Sequence, residues 1–151
     1  MPPFRPRILP DLLDERAART PDRAAFYWDD QPYPYARLRD DVNRFAVLLG
    51  KRGITRGDRV LIRLANGPDF FRAFYGALRA GAIAVPVFPA SGTERIAALG
   101  RLCDARLLVA PGTGGDEVPG VETISVAQSD SCATDGPFPP VTPDAVAFLQ
   151  Y

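Results

Sequence analysis

Apolar residues along the chain recur at two periods, and the switches between them divide it into helices and strands. Ile8, Leu9, Leu12, Leu13 and Ala17 fall at helical spacing until Thr20-Pro21-Asp22 interrupts them, which predicts an amphipathic helix over 8–19. Ala24–Trp28, the polar Asp29-Asp30-Gln31 and then Pro32–Tyr35 predict a short strand, a turn and a second extended segment, which Pro32 and Pro34 push to an edge. From Ala36 to Arg52 the residues Leu38, Val42, Phe45 and Leu49 step by 4, 3 and 4, with Arg37, Arg39, Asp40 and Arg44 on the opposite side. Gly53 ends this second helix where a left-handed residue is wanted.

The same alternation continues downstream. Asp58–Leu64 reads as a strand, and Asn66-Gly67-Pro68-Asp69 as a turn opening a helix from Phe70 to Arg79 that Gly81 closes. Ile83–Phe88 is a short apolar strand. Ser91-Gly92-Thr93-Glu94 has the capping-box arrangement ahead of a helix carrying Ile96, Leu99 and Leu102, and Arg106–Ala110 is a strand after it. Strand alternating with helix argues for an α/β fold, a mainly parallel sheet flanked by helices with right-handed crossovers. Between Pro111 and Pro143 glycines and prolines break up one strand-like run, Val121–Val126, which predicts a surface excursion. Asp144–Tyr151 then carries the continuous apolar run Val146-Ala147-Phe148-Leu149, the pattern of a sheet-interior strand covered on both faces. Three parts follow: 1–110 alternating, 111–143 rich in glycine and proline, and 144–151 a last strand.

With 151 residues and 46% hydrophobic content the chain has the length of one domain and material for a core. Its 18 basic and 18 acidic residues leave no net field to gather nucleic acid or an anionic membrane, so nucleic acid is excluded as an expected partner. Lys51 is the one lysine, and beside Arg52 and Gly53 it reads as a solvated charge at a helix C-terminus. The absence of histidine removes Ser-His catalysis, imidazole proton shuttling and most zinc sites. Cys103 and Cys132 have neither knuckle spacing nor a disulfide pattern, consistent with a reducing cytoplasm. No stretch approaches the roughly 20 apolar residues of a membrane span, and Met1–Arg7 has no apolar leader core, so a cytoplasmic protein is expected.

Isolated motifs are explained by local structure. Gly112-Thr113-Gly114-Gly115 follows a strand, as a phosphate loop should, but lacks the last glycine of the G-x-G-x-x-G spacing, a Lys-Ser/Thr pair and a receiving helix. Arg56-Gly57-Asp58 is a tight turn before a strand. Asp29-Asp30 is explained by turn chemistry rather than as a catalytic dyad, because adjacent hairpin residues point apart. Phe70, Phe71, Phe74 and Tyr75 have the helical spacing of a core stripe, with an apolar tunnel as the alternative use.

Four segments taken together carry more. Leu78-Arg79-Ala80-Gly81-Ala82-Ile83-Ala84-Val85-Pro86 resembles the L-x-A-G-x-x-x-V-P passage of adenylate-forming enzymes. Upstream, Tyr35-Ala36-Arg37-Leu38 resembles their T-Y-x-E-L helix start, with Pro34 and Arg37 departing from it, and Gly57-Asp58-Arg59-Val60 resembles their G-D-R-V strand start. Downstream, Ala145–Tyr151 resembles the strand leading into the Thr/Ser/Gly-rich phosphate loop, and Phe148-Leu149-Gln150-Tyr151 is similar to the fatty-acyl-AMP ligase branch. The resemblance implies the N-terminal subdomain of an enzyme that uses ATP and Mg²⁺ to convert a fatty or other carboxylic acid into an acyl-adenylate. The acyl group would then pass to an acyl carrier protein, in lipid or polyketide biosynthesis, or to coenzyme A. It also implies that the phosphate loop begins directly after Tyr151, so no catalytic, metal-binding or assignable cofactor-binding residue is expected within 1–151 and this stretch alone is expected to be inactive. From a different class, the chain reads as a free-standing interaction module that docks a carrier protein or partner subunit through an exposed last strand.

Overall fold

A computed structural model describes residues 7–112 and 118–151. Helix α1 (Leu9–Arg19) is followed by a hairpin of β1 (Ala24–Trp28) and β2 (Gln31–Pro34). Its two-residue turn holds Asp29 and Asp30 at φ 49° and 58°, the left-handed pair that matches the twist of a tight hairpin. Helix α2 (Tyr35–Lys51) leads into β3 (Arg59–Ile62), α3 (Pro68–Arg79), β4 (Ile83–Pro86), α4 (Thr93–Leu102), β5 (Ala105–Val109) and β6 (Glu122–Ile124), and a 3₁₀ turn spans Val126–Ser129. Strands β3 to β6 form one parallel sheet in the order β4-β3-β5-β6, with Ile62 opposite Pro86 and Val109. The expected α/β class and parallel sheet are what the chain adopts.

Side chains alternate across this sheet. Val60, Ile62, Ala84, Leu107, Val109 and Ile124 pack beneath α2 and α3, whereas Leu61, Val85 and Leu108 pack beneath α4. The sheet is therefore covered by helices on both faces, which is why its strands read as unbroken apolar runs. The hairpin sits apart on α1, α2 and α3, where Phe26 stacks on Tyr33 at 4.8 Å between ring centroids. Gly81, at φ 75°, turns the chain from α3 into β4 and its carbonyl accepts the Gly57 N–H at 2.9 Å, tying that turn to the one before β3.

Buried arginines lock the layers. The Arg79 guanidinium, on α3, donates to both Asp14 carboxylate oxygens at 2.7 and 2.9 Å and to the Pro10 carbonyl at 3.2 Å, and lies over the Phe138 ring. Arg72, two turns earlier on α3, reaches Asp130 at 2.8 Å. The Tyr33 hydroxyl donates to Asp41, and Arg37 caps the same ring at 4.4 Å from its centroid.

Three expectations are corrected. The stretch 111–143 is not only a surface excursion: Ile124, Val126, Ser129 and Cys132 are buried in the core beneath α2 and α3, and β6 extends the sheet. Apolar residues two apart and a free edge on β5 outweigh the neighbouring glycines and prolines there. Arg44, on α2, holds the segment by donating to the carbonyls of Asp130 and Cys132, as Asn43 does to that of Thr134.

The capping box of α4 does not form. Gly92 is the N-cap and no side chain caps the helix, because a turn closed by the Ser91 N–H on the Phe88 carbonyl withdraws Ser91 into the interior.

The segment 144–151 is not an interior strand. Its only ladder contact among the described residues is a parallel bridge of Phe148 with Ala84, made through the Ala84 and Leu149 N–H groups, so it lies outermost against β4. Val146 and Phe148 are 55% and 50% exposed, since among the described residues only one flank is paired; the Phe74 ring approaches that of Phe148 at 5.9 Å.

Candidate functional site

The sheet order defines one place where a ligand crevice belongs. The chain leaves β3 for α3 on one face and leaves the adjacent β4 for α4 on the other, so the loops diverge at the carboxyl ends of these two strands. In open parallel sheets such a switch point is where ligands bind. Across the gap, the Arg63 Nε donates to the Pro89 carbonyl at 3.0 Å, and the Val87 N–H to the Ile62 carbonyl at 3.0 Å. Phe88, 74% exposed, projects from the β4 side, and the bridge at Phe148 brings the carboxyl end of the terminal segment to the same edge. On the β3 side Gly67 passes beneath Trp28, where a Cβ would meet the ring at 3.2 Å.

Arg63, Phe88 and Trp28 are the large side chains that the structure places around the crevice. Among the described residues no three acidic, cysteine or histidine side chains come together as metal ligands. No glycine-rich loop with an invariant-type Lys-Ser/Thr pair opens a helix here either, so these residues do not supply a donor set for a magnesium triphosphate. What the arrangement can do is hold the floor and one wall of a site. Arg63 is the feature that sequence reasoning passed over; its signal was a lone charge inside the apolar run Val60–Leu64.

The residues singled out in the sequence do not converge on this crevice. Lys51 is exposed at the end of α2, with Nζ 3.9 Å from Cys132 Sγ. In the Arg56-Gly57-Asp58 turn, Asp58 accepts the Thr55 N–H at 2.7 Å and its hydroxyl at 2.9 Å, a closed local turn. Of the glycine stretch after β5, Thr113, Gly114 and Gly115 lie outside the described residues. Cys103 and Cys132 are both buried and free, and burial raises the Cys103 thiol above its ordinary range. Phe70, Phe71, Phe74 and Tyr75 form a half-buried ladder that links the hairpin, through Phe26 at 4.7 Å from Phe71, to the terminal segment through Phe148. No helix among the described residues is long and apolar enough to cross a membrane.

Comparison with known proteins agrees with this geometry. The profile of the family described as AMP-binding enzyme matches residues 13–151. The salicyl-AMP ligase / salicyl-S-ArCP synthetase of Mycobacterium tuberculosis is 43% identical over 88 residues, 55% of this chain and 16% of that protein. A fused adenylation-PCP di-domain of the Klebsiella oxytoca NpsA superposes with a TM-score of 0.87 at 24% identity, covering 96% of this chain and 28% of the other, a likeness of fold. A Mycobacterium tuberculosis fatty acyl CoA synthetase does so with a TM-score of 0.81 at 26% identity, over 94% of this chain and 32% of the other. The chain spans a small part of the curated relatives it matches, from 2% to 6% of the multimodular synthetases. The chain belongs to the AMP-binding enzyme family and takes the fold of the N-terminal part of an adenylate-forming domain.

Proposed function

We propose that this chain is the scaffold portion of an acid–thiol ligase that activates a carboxylic acid as its acyl-adenylate, with ATP and Mg²⁺, and hands it to the phosphopantetheine thiol of a carrier protein. The observation that carries the proposal is the family match over residues 13–151, combined with the divergence of the β3 and β4 loops at a switch point where, among the described residues, no cluster of metal-ligating side chains occurs. Such an arrangement builds one wall of an adenylation site and leaves the donors to other segments. Adenylation places negative charge on the phosphorus oxygens, so the donors facing it must be preorganised. The chain's own part is to hold the carboxyl ends of β3 and β4 in register, with Arg63 bracing the two loops through the Pro89 carbonyl.

A fatty acid is the acyl substrate suggested by Phe148-Leu149-Gln150-Tyr151 and by the likeness to a fatty acyl CoA synthetase. An aromatic acid is the second reading, favoured by the 43% identity to a salicyl-AMP ligase. Acceptance by coenzyme A instead of a carrier protein is a further outcome. Pyrophosphate exchange by a longer polypeptide that includes this chain separates the acyl readings, using decanoate, salicylate and amino acids as substrates, and thioester formation with coenzyme A or a carrier protein separates the acceptors. Exchange with decanoate supports the first reading and exchange with salicylate the second; exchange with no carboxylic acid overturns the proposal. Residues 1–151 alone are expected to release no pyrophosphate above a protein-free blank, and release there would remove the scaffold assignment.

A further inference from the structure

A further cavity lies at the other end of the sheet. It has a volume of about 500 Å³ and opens between the last turns of α2, the turn before β3 and the segment Gly136–Pro139. Ile54, Thr55 and Arg56 precede β3 and Ala80 precedes β4, so the cavity sits at the amino ends of the strands, away from the β3/β4 switch point. Its walls are apolar, made chiefly by Val47, Ile54, Ala80, Phe138 and Pro139, and its volume falls in the range of about 300–1,000 Å³ typical of small-molecule pockets.

Two features distinguish it from a packing defect. The charged residues that line it, Lys51 and Arg56, are both cationic and both exposed, and among the described residues neither is ion-paired with a carboxylate. Lys51 reaches only Cys132 Sγ, and Arg56 only the Thr142 hydroxyl at 3.2 Å and a weak pull on Asp144. The remaining polar side chain of the lining, Thr55, is committed to Asp58. In addition, Gly50 stands in the last turn of α2 on the cavity wall, where a Cβ would meet nothing within 4 Å. Gly50 is exposed at the rim of the cavity, so a larger residue there has room and also favours the helix.

We propose that this cavity binds an amphipathic carboxylate, its apolar body between Val47, Ile54 and Phe138 and its head between Lys51 and Arg56. The site is separate from the adenylation crevice, so the proposal stands or falls independently of the function assigned above. Apolar walls take the hydrocarbon and two unpaired cations select the sign of the head group.

Calorimetric titration of the 151-residue chain with decanoate, decanol and decyltrimethylammonium tests it. The expected result is one decanoate per chain, with the cationic amphiphile binding at least about tenfold more weakly. Lys51→Gln and Arg56→Gln should each weaken decanoate by about two- to fivefold, as fits exposed charge contacts. Gly50→Leu adds bulk at the cavity rim and should weaken decanoate binding while its thermal midpoint stays at or above that of the parent. Because Lys51 is the only lysine, decanoate should also slow its acetylation relative to the N-terminal amine, a readout that needs no variant. Absent or unsaturable decanoate binding, equal binding of the cationic amphiphile, or Gly50→Leu binding decanoate as the parent does would each overturn the proposal.

Discussion

Two glycines in helices, Gly76 and Gly50, should respond to alanine with opposite signs. In isolation each replacement favours the helix by up to about 1 kcal/mol. At Gly50 nothing lies within 4 Å of the new methyl, so that gain should appear as a rise in Tm. At Gly76 the methyl would come 2.8 Å from Phe45 Cδ1, 3.1 Å from Phe45 Cβ and 3.2 Å from the Val42 carbonyl oxygen. Phe45 is fully buried, and two of those three atoms are anchored to the α2 backbone, so the helices themselves must separate. Overpacking of this sort costs about 1–3 kcal/mol, leaving a net loss of up to about 2 kcal/mol after the helical gain. For a chain of this size 1 kcal/mol moves Tm by about 2–4 °C. Thermal melts followed by circular dichroism should therefore place Gly50→Ala about 1–4 °C above the parent and Gly76→Ala below it by up to about 8 °C. Phe45→Leu in the Gly76→Ala background should recover part of the loss, with a coupling of about 0.5–2 kcal/mol in a double-mutant cycle. Equal stabilisation by both alanines would refute the close α2–α3 contact, and additive losses in the cycle would assign the cost to something other than Phe45.

Asp14→Ala should cost about 2–3 kcal/mol in urea unfolding, because the Arg79 guanidinium that it pairs with is nine-tenths buried and is left uncompensated, whereas Asp40→Ala at the exposed Arg39 pair should cost less than about 1 kcal/mol. The Tyr33 hydroxyl is pushed up to about 12 by burial first and by its bond to Asp41 second. A raised value in the folded state means stability that is complete below the unfolded tyrosine value near 10 and is lost as pH climbs from about 10 to about 12. Tyr33→Phe should flatten that loss and remove the latest step from the phenolate absorbance titration. Glu15 is held low by the Arg7 guanidinium, so its contribution should be present above the ordinary glutamate range and fade as pH falls below it, a fade that Arg7→Gln should erase in acid unfolding curves. Cys103 and Cys132, both buried, should resist iodoacetamide in the native state and react fully after denaturation; labelling of the folded chain at free-thiol rates would show the core around β5 and α2 to be open.

Much of the fold was legible because it rests on local chemistry. Pro68 and Asp69 open α3, Gly81 closes it, and two aspartates make a tight hairpin turn, each decided within a few residues. The errors occurred where a distant partner decided. Val121–Val126 sits in a stretch whose glycines and prolines argue for a loop, but the free edge of β5 and the α2 donors Asn43 and Arg44 draw it into the sheet and core. Val146–Leu149 looked interior because apolar continuity cannot distinguish two covered faces from one, and in the structure only Ala84 pairs with it. Ser91 has the capping-box spacing and still misses the helix end, because a turn one residue earlier redirects it.

The sequence by itself determined the class of the fold, the positions of four helices and the strands between them, and the family resemblance, since periodicity, breakers and short motifs are properties of neighbouring residues. Tertiary structure alone decided the order β4-β3-β5-β6, and with it the divergence of the β3 and β4 loops that locates the crevice. It also decided that Arg79 meets Asp14, that Gly76 meets Phe45, and that Lys51 and Arg56 share a cavity. Those contacts join residues far apart in the chain, where the free energy depends on which surfaces the whole fold brings together and no local pattern encodes the pairing.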